Sequence, residues 1–442
     1  MEKTRHIFSF LIVVLPISLI TGPAIPDITI SIGSIFFLIY LYINKEINIF
    51  SENNWLLISL IFWLYLLISG IFSYDVKGSL INALIFFRYL MIPLIVFYFV
   101  MSYSYYRNLI VTVIFFSVLF VALDSFYQFL NYDSYNGFKE DIFGYKPDFA
   151  KYNRLTGPFK DLVPGAYISK LSFFGLIFLI IYIQNNLLRN LAILIYLATC
   201  GYITFISGER MAFATFLLGY LIYFIFTKNN KIFIFLSICL MFLFIILSIK
   251  YHPSYNDYKI IEKSSKEYGL IVEKKYFCDQ SKNTLCKQTV KLQPPFTEVI
   301  KDFRNSAYGE IYSLALEMYK NNYFFGIGLD SFTELCKSEK YDKYLKNVGC
   351  VTHPHNFYLQ WLIETGPLGL ILFTIMIFYF FKQSKNSNDY NGKLISYISL
   401  IIIFWPIMST GSLLKNWMGV STFFCIGLSL SIYKFKLYKY LK

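Results

Sequence analysis

The sequence predicts an all-α polytopic membrane protein of about twelve transmembrane helices, with a long exported loop between the ninth and tenth. Three observations carry this. Hydrophobic residues make up 56% of the 442-residue chain and charged residues only 15%, too few charges to cover the surface of a soluble domain. The apolar runs are roughly 17–23 residues long, enough to cross about 30 Å of hydrocarbon at 1.5 Å per residue. The basic residues alternate in density from loop to loop, as they do when helices cross back and forth.

In order, the candidate spans are residues 7–21, 28–43, 55–73, 80–101, 108–130, 164–183, 189–207, 211–227, 231–250, 365–381, 393–410 and 416–434. The first is followed by GPAIPD and at once by another span, so it does not read as a cleaved signal peptide. With the N-terminus MEKTRH inside, the inner loops and their flanks hold Lys3, Arg5, Lys45, Arg107, Arg189, Lys228, Lys231, Lys382, Lys385, Lys393, Lys434, Lys436, Lys439 and Lys442. The short outer connections hold only Lys77, Arg210 and Lys415. This bias places both termini in the cytoplasm and makes most of the +13 net charge topological. A nucleic-acid partner would need a clustered basic face, which the sequence does not offer.

Two outer segments interrupt the alternation, 131–163 and 251–364, and loops of this length are functional or domains in themselves. The chain therefore divides into spans one to nine (1–250), an outer loop domain (251–364) and spans ten to twelve (365–442). Within the loop, 251–295 reads as polar and irregular. Phe296, Ile300, Phe303, Ala307, Ile311, Leu314, Ala315 and Met318 then recur at helical spacing, and FFGIGLDSF ends that helix with turn glycines. Next comes THPHNFYLQWLIETGPLGLILF (352–373), which holds two of the four histidines of the chain. Pro354 suits a first helical turn with Thr352 or His353 as cap. Asn356, Gln360 and Glu364 form one polar stripe, suited to orienting an acceptor or to wetting an interfacial helix. His353 reads as a surface or outer-layer residue. Gly366 and Gly369 turn the chain into span ten.

Cys200, Cys239 and Cys425 lie in spans as apolar fillers. Cys278, Cys286, Cys336 and Cys350 lie in the exported loop, which suggests two disulfides in an oxidising compartment. Sequence order favours 278–286 and 336–350, with the other pairings open and a zinc site as the alternative. The spacing of Cys350, His353 and His355 is not a usual ligand pattern, so neither metal nor cofactor is expected.

Arg88, Asp124 and Lys170 fall inside spans, where ionisable groups are costly and mark function. Counting residues places all three roughly 9–12 Å below the outer surface, and Arg210 in ISGERMAF stands at the outer mouth of span eight. One reading pairs Arg88 with Asp124 to fix helix packing. The other makes the cations a pocket for a lipid-linked anion approached from outside.

His355-Asn356, nine residues, then Gly366-Pro367-Leu368-Gly369 follow the pattern H-N-x9-G-x-x-G. This resembles the signature of the O-antigen ligase family, which shares its fold with bacterial O-antigen polymerases. TGPAIPDI, RLTGPF, SGERMAF, NNYFFGIGLDSF and PIMSTGSLLKNW are similar too, and the layout fits. The resemblance implies a metal-independent, inverting glycosyltransferase in the bacterial inner membrane, with its active site on the periplasmic face. It implies a glycan donor on undecaprenyl pyrophosphate, a lipid A–core or glycan acceptor, and a role in lipopolysaccharide biosynthesis. The functional histidine falls on His355, one arginine on Arg210 and a second, loosely, on Arg304. Arg88, Lys170 and Asn356 complete the expected substrate-binding set.

The chemistry needs these residue types. Arginines supply fixed, always-charged donors to a departing pyrophosphate, and a neutral histidine can take the proton of an attacking sugar hydroxyl. The rival readings are an O-antigen polymerase, with a growing glycan as acceptor, and a flippase or exporter of lipid-linked sugars. A flippase would spread its buried charge through the bilayer, whereas here it gathers on the outer side.

Overall fold

The computed structural model describes residues 2–46, 49, 53–133, 137–146, 154–160, 163–228, 230–256, 259–267, 270–279, 284–292, 301–345, 349–385, 389–407 and 409–440; the side chains of the strands between 259 and 292 are outside the description. Among the described residues, nine helices are long and apolar enough to cross a membrane: Ala24–Ile43, Asn54–Ile71, Val76–Val100, Ser104–Leu130, Pro164–Tyr182, Asn186–Ile206, Lys231–Tyr251, Phe357–Lys385 and Asn416–Phe435. The other three expected spans are shorter. Arg210–Phe226 and Tyr390–Phe404 are single apolar helices, and the first span is divided into Glu2–Val13 and Leu15–Ser18. Pro16 sits in the first turn of the second piece, where its missing N–H is tolerated. The chain is an all-α polytopic membrane protein.

The chain forms two compact units, residues 1–110 with 302–436, and residues 111–301 with 437–442. In the first unit, Phe357–Lys385 packs on Asn54–Ile71, and both Asn54–Ile71 and Asn416–Ser431 pack on Val76–Ile95. Trp361 lies at the centre, fully buried. Its ring meets Phe62 edge-on at 5.0 Å and Phe86 at 5.6 Å, with Phe373 tilted against it at 5.6 Å.

The amphipathic segment of the loop is shorter than its periodicity suggests. Its helix covers Ala307–Asn321, because Ser306 caps it by accepting from the Gly309 amide at 3.1 Å. Residues 293–300 lie outside the description, and Phe303–Asn305 is a single 3-10 turn. Gly309 therefore lies in the first turn of this helix, and a Cβ there would collide with the Phe303 carbonyl. The apolar face, Ile311, Leu314, Ala315 and Met318, packs with Ile327, Phe332, Leu335, Tyr341 and Ile363.

Phe357–Lys385 is two helical pieces joined at Gly366, whose φ of 71° and ψ of −175° break the helix. Carbonyls at the end of the first piece lose their partners one turn ahead and must find others. Ile327 N donates to Ile363 O at 2.8 Å and Gly328 N to Glu364 O at 3.0 Å, and the Tyr65 hydroxyl donates to Thr365 O at 2.8 Å. Thus the GIGLD turn docks on the kink, backbone to backbone. Gly326 and Gly366, both at positive φ, permit it: a Cβ on either would run into the backbone of the other segment.

In the second unit, Asn186–Ile206 packs against Pro164–Tyr182, Arg210–Phe226 and Lys231–Tyr251. Gln128 and Asp124, both fully buried, hold its loops. Gln128 Oε1 accepts from the amides of Thr156 (2.9 Å) and Gly157 (3.0 Å), and Asp124 Oδ1 accepts from Ile142 N at 3.0 Å. The segment read as irregular contains three strands, Lys259–Glu267, Leu270–Asp279 and Thr284–Leu292, paired antiparallel in that order. LIVEKKYF and TLCKQTVKL are rich in the β-branched and aromatic residues that fit a pleated surface, a preference outweighed in the sequence reading by their charge.

Candidate active site

The site is built around THPHN. Pro354 disfavours a helical conformation at His353, and His355 adopts a left-handed backbone with φ 55°. A helix therefore cannot begin at Pro354, and neither Thr352 nor His353 is its cap. The helix begins at Phe357, and Asn356 caps it. Its Oδ1 accepts from Leu359 N at 3.1 Å and its carbonyl from Gln360 N at 2.8 Å. Its Nδ2 donates to the Pro406 carbonyl at 2.8 Å. The left-handed turn at His355 is held by Thr410 N, which donates to the His355 carbonyl at 2.8 Å.

The His355 ring lies edge-on to Tyr308 (6.0 Å between centroids, 89°) and 4.2 Å from the His353 ring. The Tyr308 hydroxyl is fixed by Ser409 Oγ at 2.8 Å. Burial lowers the proton affinity of His355 below the ordinary imidazole value, opposed by the Thr410 carbonyl. His353 is not a surface residue: it is 8% exposed. Its Nε2 faces the Thr410 carbonyl at 3.1 Å and its Nδ1 the Thr352 hydroxyl at 2.8 Å. Burial, then the neighbouring His355 charge, push its pKa down to about 4, with Thr410 O opposing and Lys415 adding to the shift.

The polar stripe does not wet the helix. Gln360 and Glu364 are each 1% exposed. Gln360 Nε2 donates to Glu364 Oε1 at 3.1 Å and to Ser412 Oγ at 2.7 Å. Asn356 and Gln360 of the stripe are partnered by the connection between Tyr390–Phe404 and Asn416–Ser431, and Glu364 by Gln360. Pro406, Ser409, Thr410 and Ser412 bond Asn356, Tyr308, both histidines and Gln360 respectively, while Lys415 Nζ pairs with Asp330 at 3.0 Å. In sequence, PIMSTGSLLKNW has no role beyond the resemblance, and Tyr308 does not stand out among the 38 tyrosines of the chain. The alternation of small hydroxyl residues before span twelve was the available signal.

In sequence, Asp124 is one reading of the Arg88 partner; the structure gives Arg88 a carboxylate within its own unit. Arg88 Nη2 pairs with Asp27 at 2.7 Å, and the guanidinium also donates to Ser31 Oγ (2.8 Å) and Asn416 Oδ1 (3.1 Å). Asp27 sits in the first turn of Ala24–Ile43, a helix packed on the one that carries Arg88, whereas Asp124 belongs to the other unit and takes the Ile142 amide. Arg304 is exposed in the 3-10 turn just ahead of Tyr308. His355, Asn356, Arg304 and Arg88 thus belong to the first unit, and Arg210 and Lys170 to the second.

Arg210 is exposed and opens Arg210–Phe226, after a turn that Gly208 makes at φ 77°. The adjacent Glu209 carboxylate accepts from Gly165 N (2.6 Å) and Ala166 N (3.1 Å), capping Pro164–Tyr182. Lys170 is buried within that same helix. A disulfide joins Cys336 to Cys350, just ahead of the histidines. Cys278 and Cys286 lie on neighbouring strands, with side chains outside the described residues. Among the described residues no cluster of three or more His, Cys, Asp or Glu is placed to hold a metal ion.

Residues 192–374 match the family model described as O-Antigen ligase. A 49-residue stretch is 45% identical to a Rickettsia conorii protein described as a candidate polysaccharide ligase, a match covering 11% of this chain and 12% of that protein. The family match takes in the SGER turn, the long loop, the histidine motif and the Gly366 kink, so residues 192–374 of this chain are similar to the O-antigen ligase family.

Proposed function

We propose that this protein is a glycosyltransferase of the bacterial inner membrane, active on its periplasmic face. On this reading it moves a glycan from undecaprenyl pyrophosphate to a sugar hydroxyl of lipid A–core. The observation that carries the reading is His355. Its ring is held in place by a left-handed turn and by Tyr308, it remains partly exposed, and burial keeps it neutral near pH 7. Those are the requirements of a proton acceptor. In the step, the acceptor hydroxyl oxygen bonds to the anomeric carbon from the face opposite the leaving group. The carbon–oxygen bond to pyrophosphate breaks with inversion, its electron pair leaves with undecaprenyl pyrophosphate, and His355 takes the hydroxyl proton. Arg304, in the same unit as His355, supplies positive charge for the pyrophosphate. Asn356 holds the helix start behind His355, and the charge of Arg88 is balanced by Asp27.

The test has two parts. His355→Ala abolishes transfer, a loss of about 10²–10⁴-fold for a general base, while donor binding persists; full transfer in this variant would sink the assignment. Gel analysis of lipopolysaccharide from a deletion strain addresses the acceptor. Ligase loss leaves free core and accumulated lipid-linked polymer, whereas core capped by single units would make the protein a polymerase.

A further inference from the structure

We propose that His353 is a positioning residue for His355: its imidazole, locked in one neutral tautomer by Thr352 and Thr410, shields the His355 ring from water and fixes its orientation. This rests on the reading of His355 as the proton acceptor and adds a second histidine with a different task.

The tautomer follows from the partners. Nε2 of His353 lies 3.1 Å from the Thr410 carbonyl, which has only lone pairs, so Nε2 carries the hydrogen. In a neutral ring Nδ1 then has the lone pair, and the Thr352 hydroxyl at 2.8 Å donates to it. Both nitrogens are committed. The ring cannot take a proton from an acceptor without losing the Thr352 bond and creating a charge in a buried place. Thr410 grips both histidines: its carbonyl receives the His353 hydrogen and its amide donates to the His355 carbonyl at 2.8 Å. One residue thus ties the side chain at 353 to the main chain at 355, with Pro354 setting the spacing between them. The His353 ring, tilted 52° at 4.2 Å, covers one side of His355, and Tyr308 stands edge-on to the His355 ring.

Among the described residues, titratable groups flank the pair from two elements. Tyr308 faces His355 from the helix Ala307–Asn321, with Tyr312 one turn further on beside Asn356. Lys415, whose charge Asp330 balances at 3.0 Å, acts on His353 from the connection before span twelve. A protonated His353 would set a cation against His355 and within the field of Lys415. A neutral His353 excludes water from His355 without adding charge.

The test reads the protonation of His355 directly. The full-length protein in detergent is treated with diethyl pyrocarbonate, which reacts with neutral imidazole, over a range of pH. Modification of His355 is followed by peptide mass spectrometry, alongside the pH profile of transfer. Removing the shield admits water, so in His353→Ala and His353→Asn the midpoint for His355 moves alkaline, toward 6.5, and transfer falls by about 10–100-fold. In His353→Gln the longer amide reaches the Thr410 carbonyl with its N–H, and the midpoint stays near that of the parent protein. Gel-filtration profiles select the folded variants. Should His353→Ala not fold, the Asn and Gln pair decides alone. Equal midpoints in the parent, Asn and Gln proteins overturn the proposal, as does a Gln variant shifted as far as Asn. The labelling midpoint does not depend on catalysis. If His355→Ala kept its transfer activity, the reaction assignment would fail while the midpoints still judged the role of His353.

Discussion

Gly366→Ala tests whether the kink and the GIGLD turn are one device. Gly366 has φ 71° and ψ −175°, a region that is essentially glycine-only and costs another residue on the order of 1–3 kcal/mol. The added Cβ would also collide with the Phe324 carbonyl oxygen, with the Phe325 nitrogen only 3.3 Å away. These are backbone atoms and cannot swing aside, so the 324–328 turn must retreat. Retreat breaks the bonds from Ile327 N and Gly328 N to the carbonyls of 363 and 364, each contributing about 1 kcal/mol. Strain and lost bonds together come to about 3–5 kcal/mol. Gly22→Ala is the reference, because Gly22 also has a positive φ, 118°, but open space where its Cβ would go. The assay is thermal unfolding of the purified protein in detergent. Gly366→Ala should melt well below Gly22→Ala, which in turn lies slightly below the parent. Equal melting of the two variants would refute the argument, since strain alone would then account for both.

Three further outcomes are expected. A double-mutant cycle with Asp27→Ala and Arg88→Ala should return a coupling of about 1–3 kcal/mol in thermal unfolding, whereas Asp124→Ala should be additive with Arg88→Ala. Glu209→Gln keeps an acceptor for the Gly165 and Ala166 amides but loses the charge, so it should cost about 0.5–1 kcal/mol, and Glu209→Ala about 1–2 kcal/mol, both read as melting shifts. Because the folded pKa of His353 is lowered from 6.5 to about 4, the unfolded chain binds the extra proton between these values. Stability is therefore fully present above pH 6.5 and falls as pH drops toward 4, by up to about 3 kcal/mol from this group; His353→Gln should flatten that part of the melting-versus-pH curve.

Much of this protein is local information. The helical, polytopic class follows from runs of apolar residues, and each span is legible because it must satisfy its own backbone in a membrane. The kink at Gly366 was readable for the same reason: a glycine followed by proline interrupts a helix whatever surrounds it. The start of the helix at Ala307 was not legible, because the Ser306 cap competes with a periodicity that alone suggests a longer helix. The strands between 259 and 292 were hidden by their lysines, since strand pairing is decided between segments rather than within them.

By itself, the sequence determined the helical membrane class and the histidine motif, both properties of neighbouring residues. Only the tertiary structure decided partners. Asp27, not Asp124, balances Arg88, because helix packing brings together residues far apart in the chain. Asn356, not Thr352 or His353, caps the helix, because Thr410 holds His355 in a left-handed turn. Gln360 is sealed inside because Ser412 Oγ accepts from its amide, and Glu364 beside it because that same amide donates to its carboxylate. The two histidines are two residues apart in sequence and 4.2 Å apart in space. Their different roles arise from what each ring touches: His353 has both nitrogens bound, and His355 stands partly open beside Tyr308.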